Sequence, residues 1–370
     1  MIPLGSQKET ICILPRKTGF QSGNVFLKRR KICEDRKKKK GSRKCLILIP
    51  VGILVLLIIA GGMYAGKIYS FYFQRESASE TRRRTIDEFK GLKVEECTFL
   101  SDRGQKLAGY KYSKEDLIPK GVVIMAQGLG LGGHCVNMDA ADYFTSNGYL
   151  VFAYDATGTD KSEGESVIGM QQGVIDLDHA ISYVEQDSGM KKYPIALYGH
   201  SWGAYCVCAV LNVHPEVKAV AAVSGFNKPS DFYKTGMPPY LSPYFNMFEK
   251  IKFGKYAEYS SLSGFAKTKA GIMIIQSKDD RNVPEATGYD KYYEKYKDDP
   301  RFRFKLYEDR GHMFIFYTDA ARKYDRQYMY EETSQLTDYG QAHPFDKTIG
   351  YEVDPDFFGN VLGFFNEYCR

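Results

Sequence analysis

The chain has 370 residues, 44% hydrophobic and 26% charged, ordinary values for a globular protein that exclude a mainly disordered or fibrous one. Its net charge of +6 is unevenly held: residues 1–44 carry fourteen Lys and Arg against Glu9, Glu34 and Asp35, and subtracting that +11 leaves −5 for residues 45–370. The bulk is mildly acidic, which argues against a nucleic-acid partner and assigns the basic character to the leader.

Between Lys44 and Lys67 lie 22 uncharged residues, 45–66. As a helix they would span about 33 Å, enough for the hydrocarbon core of a bilayer. A buried core helix would show an amphipathic stripe, and the lysine run 37–40 beside this segment speaks against one. Ala60, Gly61, Gly62 and Ala65 offer small residues for signal cleavage, but a signal peptide has an apolar run of only ~7–15 residues close to its start. The expectation is therefore an uncleaved transmembrane helix, in which Pro50 is tolerable. Residues 28–44 supply eleven Lys and Arg, against five in the twenty residues after the span. The positive-inside rule then predicts a cytoplasmic amino terminus and an extracytoplasmic domain at the cell membrane.

The expected organisation is a basic tail (1–44), a transmembrane helix (45–66), a linker (67–93) and one large domain (94–370). Residues 68–90 are polar with weak periodicity and read as a stalk or a partly helical linker away from the membrane. Eight cysteines show no CxxC pair and no His at zinc-ligand spacing, so no metal site is indicated. Five of them, Cys97, Cys135, Cys206, Cys208 and Cys369, fall in the domain; buried thiols are expected there, not a disulfide framework.

From Val94 the runs VEECTFLS and KLAGYKY alternate as half-exposed strands do, with residues 101–105 turning between them as a hairpin. The apolar runs 122–127, 149–155, 195–199, 217–225 and 271–276 suit strands covered on both faces. Helical stretches lie at 137–147, 169–186, 203–212 and 285–297. This alternation predicts an α/β fold with a mostly parallel sheet. The interval between residues 225 and 271 is long and rich in aromatic residues, Pro and Met. An insertion at a strand's carboxyl end overhangs the ligand crevice, making residues 226–268 a candidate lid. A second irregular stretch, 314–352, is rich in Tyr and acids.

Gly199-His200-Ser201-Trp202-Gly203 is short and weak as a pattern alone, but it follows a strand and opens a helix, the setting a nucleophile elbow requires. A serine hydroxyl needs a base, and the base needs an acid to hold its tautomer. Asp279 and Asp280 follow the strand 271–276, and His312 follows the next strand, FRFKLYE, in a loop. Each residue has a bland reading as a turn residue, a helix cap or a satisfied histidine. The order Ser, Asp, His at successive strand ends favours the catalytic one.

Over residues 94–370 the chain resembles the α/β-hydrolase superfamily, in the elbow GHSWG, the DxxVP run 280–284, Gly311-His312, and the segment 155–164, similar to a DxxGxGxSxG loop with Asp160 at the second Gly. The resemblance implies Ser201 as nucleophile, His312 as base and Asp280 as orienting acid, with Asp279 the alternative. It implies an oxyanion hole from the backbone N–H groups of Leu129 and Trp202. Family members usually carry His where this chain has Gln127, a change read as neutral. Trp202 is expected to line the acyl pocket or pack behind it.

Residues 128–133 also fit GxGxxG after a strand, with Asp155 ending the next strand and a Tyr293/Lys297 pair downstream, as a dinucleotide-dependent reductase would. That reading leaves GHSWG, DxxVP and GH unexplained. The expected activity is hydrolysis of a carboxylic ester through an acyl-enzyme, without cofactor or metal. The tether and aromatic insertion point to acyl glycerol, lysophospholipid or similar lipid ester substrates. The alternatives are a serine peptidase or amidase on the same fold and a non-catalytic binding module.

Overall fold

A computed structural model describes residues 49–115, 118–334 and 345–370, with the side chains of 329–334 left aside. The expected basic tail, residues 45–48, Cys12, Cys33, Cys45 and residues 335–344 lie outside the described residues.

The described residues divide into two units, with the boundary between Met63 and Tyr64. Helix α1, Ile49–Tyr72, contributes to both and is 24 residues long. In the first unit its apolar side chains stand exposed, Leu56 and Leu57 among them, a surface that water does not tolerate and lipid does.

In the second unit the structure departs from the expected division. The helix runs past the expected end at 66, and residues 67–93 are not a free linker. Tyr69 and Phe73 are buried in the same core as the sheet, and Ala78 and Arg84 are buried too. Residues 68–90 look polar because their work is done through polar contacts: the Arg75 guanidinium donates to the carbonyls of Asp160 (2.6 Å), Ser162 (3.0 Å) and Gly164 (2.7 Å).

Strands β1 (Lys93–Leu100) and β2 (Lys106–Ser113) form the expected antiparallel hairpin, in register from Lys93 opposite Ser113 to Leu100 opposite Lys106. There follow β3 (Gly121–Ala126), α2 (Met138–Ser146), β4 (Tyr149–Tyr154), α3 (Met170–Gln186), β5 (Ile195–His200), α4 (Trp202–Ala209) and β6 (Ala219–Val223). The segment over the sheet's carboxyl end holds α5 (Pro229–Phe232), α6 (Ser242–Phe253) and α7 (Ser261–Phe265). Then come β7 (Gly271–Ser277), α8 (Tyr289–Tyr296), β8 (Phe302–Tyr307), α9 (Asp319–Ser334), α10 (Lys347–Gly350) and α11 (Pro355–Tyr368).

The sheet order is β1-β2-β4-β3-β5-β6-β7-β8, antiparallel at the first two pairings and parallel at the rest. Every residue of β3, β6 and β7 is buried, as the unbroken apolar runs require. Alternate residues feed two core layers: Val122, Ile124, Leu197 and Val220 pack with α3 and α4. Val123, Met125, Tyr198 and Ala221 pack with α2 and α11. Helix α11, absent from the expected elements, buries Phe357, Phe358, Val361, Phe364 and Phe365 on one stripe. Its first turn is capped by Asp354, whose carboxylate accepts from the N–H groups of Asp356 and Phe357. The five described cysteines are free thiols, four buried and Cys97 half-buried, as expected.

Helix α3 begins without a side-chain cap of its own, because Gly169 precedes it. Glu249 of α6 caps it in trans: its buried carboxylate accepts from the N–H groups of Met170 (2.9 Å) and Gln171 (3.3 Å). The same carboxylate takes the hydroxyls of Tyr69 (2.6 Å) and Tyr233 (2.5 Å). One carboxylate thereby joins α1, the insertion and α3, with charge-assisted bonds at a helix's positive end.

Candidate active site

Strand β5 delivers the elbow. Ser201 leaves it with φ 58° and ψ −118°, a left-handed conformation that a side chain adopts only under constraint. Such strain costs of order 1–3 kcal/mol and persists where the surroundings enforce it. The flanking glycines are dictated by close approach: a Cβ on Gly199 would lie 2.4 Å from the backbone of Gly203, and one on Gly203 would lie 2.1 Å from the carbonyl oxygen of Ala126.

The three residues expected to converge do so. The Ser201 hydroxyl lies 2.9 Å from His312 Nε2, and His312 Nδ1 lies 2.7 Å from Asp280 Oδ2. With Nδ1–H donating to the carboxylate, Nε2 is left free to accept the hydroxyl proton. Asp280, 4% exposed, is held on its other oxygen by the N–H groups of Asn282 (3.0 Å) and Val283 (2.8 Å). The alternative acid, Asp279, faces elsewhere. It accepts from Ser277 Oγ (2.6 Å) and from the N–H of Gly311 (2.8 Å), so it ties down the loop carrying His312.

Two supports escaped the sequence reading. His200 Nε2–H donates to the carbonyl of His312 (2.8 Å), and burial pushes the His200 pKa down to about 3, keeping that ring neutral. Arg310, just before Gly311, is bound to Asp354 (2.6 Å), the cap of α11. Neither is legible without the fold, since the partners lie far apart in sequence.

Trp202 opens α4, and the N–H groups of a helix's first turn have no partner within the helix. The loop 128–133 runs beside the nucleophile: a Cβ on Gly128 would sit 3.6 Å from Ser201 Cβ. Gln127 supports this loop by donating to Thr159 Oγ1 (3.2 Å) and accepting from the N–H of Ala156 (3.3 Å). Asp160, at the motif's second Gly, keeps the glycine-like φ of 34° and uses its carboxylate on the N–H of Gly133 (2.7 Å) and on Arg83 (2.9 Å). Burial would raise its pKa, but those bonds outweigh it and hold the carboxyl below its ordinary value.

A cleft of about 420 Å³ opens over Ser201, walled by Leu129, Met170, Trp202, Phe226 and Phe232. The Trp202 side chain is 2% exposed and donates from Nε1 to the Met170 carbonyl (2.8 Å), so it packs behind the pocket wall as well as bordering it.

The dinucleotide reading fails on geometry. Asp155 is fully buried, and its carboxylate is taken by the N–H of His134 (2.8 Å), by His134 Nδ1 (2.8 Å), by Tyr110 (3.0 Å) and by the N–H of Lys161 (3.1 Å), leaving nothing for a ribose. Tyr293 stacks on Tyr289 and meets Phe304 edge-on, an aromatic packing role. Among the described residues one group, Glu185, His214 and Glu216, brings metal-ligand atoms within 4.8 Å of one another. Both His214 nitrogens are already taken there, by Glu216 and by Asp178 at 2.8 Å each, which makes the group an ion-pair network.

Residues 118–258 match the family model of serine aminopeptidase, S33, a stretch holding Ser201 and the insertion as far as residue 258 but not Asp280 or His312. No curated protein matches the chain by sequence. Among solved structures, an esterase of Pyrococcus furiosus is similar at 15% identity and a TM-score of 0.56, covering 80% of this chain and 100% of its own. An acylaminoacyl peptidase of Pyrococcus horikoshii is similar at 16% identity and a TM-score of 0.50, covering 70% of this chain and 44% of its own. An acylaminoacyl peptidase in complex with Z-Gly-Gly-Phe-chloromethyl ketone has 17% identity, a TM-score of 0.51, and coverage of 68% and 43%. Sheet order, elbow and the similarity to these structures agree on the fold: the chain has the α/β-hydrolase fold.

Proposed function

We propose that the chain is a membrane-tethered serine hydrolase that cleaves carboxylic esters through an acyl-enzyme. The supporting observation is the hydrogen-bonded series from Ser201 through His312 to Asp280, at 2.9 and 2.7 Å. Ser201 Oγ attacks the carbonyl carbon while His312 Nε2 takes its proton. His312 then protonates the leaving alcohol, and a water activated by the same nitrogen releases the acid. Asp280 stabilises the imidazolium, and the N–H groups of Leu129 and Trp202 receive the oxyanion.

The substrates proposed are acyl glycerols or lysophospholipids. The apolar walls of the cleft, Phe226, Phe232 and Met170, and the apolar helix from Ile49 support this choice. The helix is read as a single transmembrane anchor with its amino terminus in the cytoplasm and the hydrolase outside. Peptidase activity is the second reading, favoured by the similarity of residues 118–258 to a serine aminopeptidase model. Full-length protein in detergent, offered short and long acyl esters and aminoacyl amides in parallel, separates the two. Faster cleavage of long acyl esters is expected; turnover of the amides alone rejects the esterase.

A further inference from the structure

The candidate oxyanion loop does not hold its shape by itself. Its residues 128–133 pack against a segment that the sequence sets far from the hydrolase region: a Cβ on Gly132 would lie 2.3 Å from the backbone nitrogen of Ala78. Two residues earlier, Glu76 Oε2 accepts the N–H of Gly130 at 2.8 Å. That N–H belongs to the peptide joining Leu129 to Gly130, one unit past the N–H assigned to the oxyanion.

Glu76 is itself fixed on both sides of its backbone. Its N–H donates to the carbonyl of Gly158 (3.0 Å), and its carbonyl accepts from the N–H of Asp160 (3.0 Å). Arg75 clamps the same 160–164 loop from the preceding position. The 76–78 backbone is thus a rigid strip laid between two loops, and Glu76 reaches from it to the loop that borders Ser201.

We propose that Glu76 is a positioning residue for the oxyanion hole, so that the segment following the apolar helix is part of the catalytic machinery and not a spacer. The proposal rests on the serine-hydrolase reading of Ser201 and Leu129. Asp160 holds the loop at Gly133, and Glu76 holds it at Gly130, the peptide next to the Leu129 N–H; without Glu76 that donor loses the adjacent bond and can swing away from where the negative charge develops. An oxyanion donor acts on the transition state, so its loss lowers kcat and leaves KM nearly unchanged. The titration of Glu76 adds a second signature. Burial, with a smaller contribution from Asp160, raises its pKa to about 7 against the opposing bond from Gly130. Asp160 is neutralised in turn by Arg83, and Arg75 is committed to carbonyls. As pH falls through that value the carboxylate protonates and becomes a weaker acceptor.

The test compares full-length wild type, Glu76→Ala and Glu76→Gln in detergent, with kcat and KM for one ester across pH and a thermal melt for each. Glu76→Ala should lower kcat by about tenfold with KM unchanged, the scale of a lost buried acceptor. Glu76→Gln keeps an amide oxygen for the Gly130 N–H. It should restore most of kcat while removing one ionisation from the acid limb of the wild-type profile. Wild-type kcat in Glu76→Ala overturns the proposal. So does a loss equal in both variants, with the acid limb unmoved, which would mark Glu76 as a fold residue only. If the wild type turns over no ester or amide, the underlying serine-hydrolase reading falls and takes this one with it.

Discussion

At Ser201 the strained φ of 58°, the two glycines whose missing Cβ atoms leave room for the turn, and the ring of His312 form one local device. Replacing Asp280 by Asn would present the wrong donor to His312 Nδ1. Turnover should fall by on the order of 10³-fold or more while the thermal melt stays near wild type. Asp279→Asn, which acts only indirectly, through its bonds to Ser277 and Gly311, should cost about tenfold at most. Steady-state kinetics on the pair decides between the acids, and an Asp279 effect as large as that of Asp280 contradicts the assignment. The order Ser201, Asp280, His312 was legible in sequence because each follows a recognisable strand. His200, Glu76 and Arg310 were not, since each acts through a contact across the fold that leaves no local pattern. A residue far from the cleft carries a pH signature of its own. Burial would lower the pKa of His214, but its bonds to Asp178 and Glu216 outweigh that and raise it. The raised folded value means that the charged imidazole adds stability below the ordinary pKa of about 6.5, and that this is lost as pH rises through the folded pKa. The melting-temperature gap between wild type and His214→Gln should therefore be wider at about pH 5.5 than at about pH 8.5. A gap that widens with pH would contradict this.

Among the elements, the parallel strands were readable because burial on both faces leaves unbroken apolar runs, as in β3 and β7. The stretch 68–90 was misread for the converse reason. Its contributions are hydrogen bonds donated by Arg75 and accepted by Glu76, and two aromatic rings, Tyr69 on the last turn of α1 and Phe73 just beyond it, none of which makes a periodic stripe. The Glu249 carboxylate makes the consequence measurable. A fragment beginning near residue 90 loses Tyr69 and Phe73 from the core and one donor from Glu249. At about 2 kcal/mol per buried aromatic, its melting temperature should lie roughly 10 °C or more below that of a fragment beginning at residue 64. Equal melting curves would return residues 64–90 to the role of a linker.

For the whole molecule, the uneven charge and the apolar helix predict a fixed orientation across the membrane. On intact cells an amino-terminal epitope should be shielded from added protease and a carboxy-terminal one cleaved; the reverse pattern places the hydrolase inside. The central claim is that this domain uses a serine nucleophile, and a fluorophosphonate probe on the folded full-length chain tests it most directly. Covalent labelling at Ser201, abolished in Ser201→Ala with an unchanged melting curve, is the predicted result. An unlabelled wild type, or label that persists in Ser201→Ala, would contradict it.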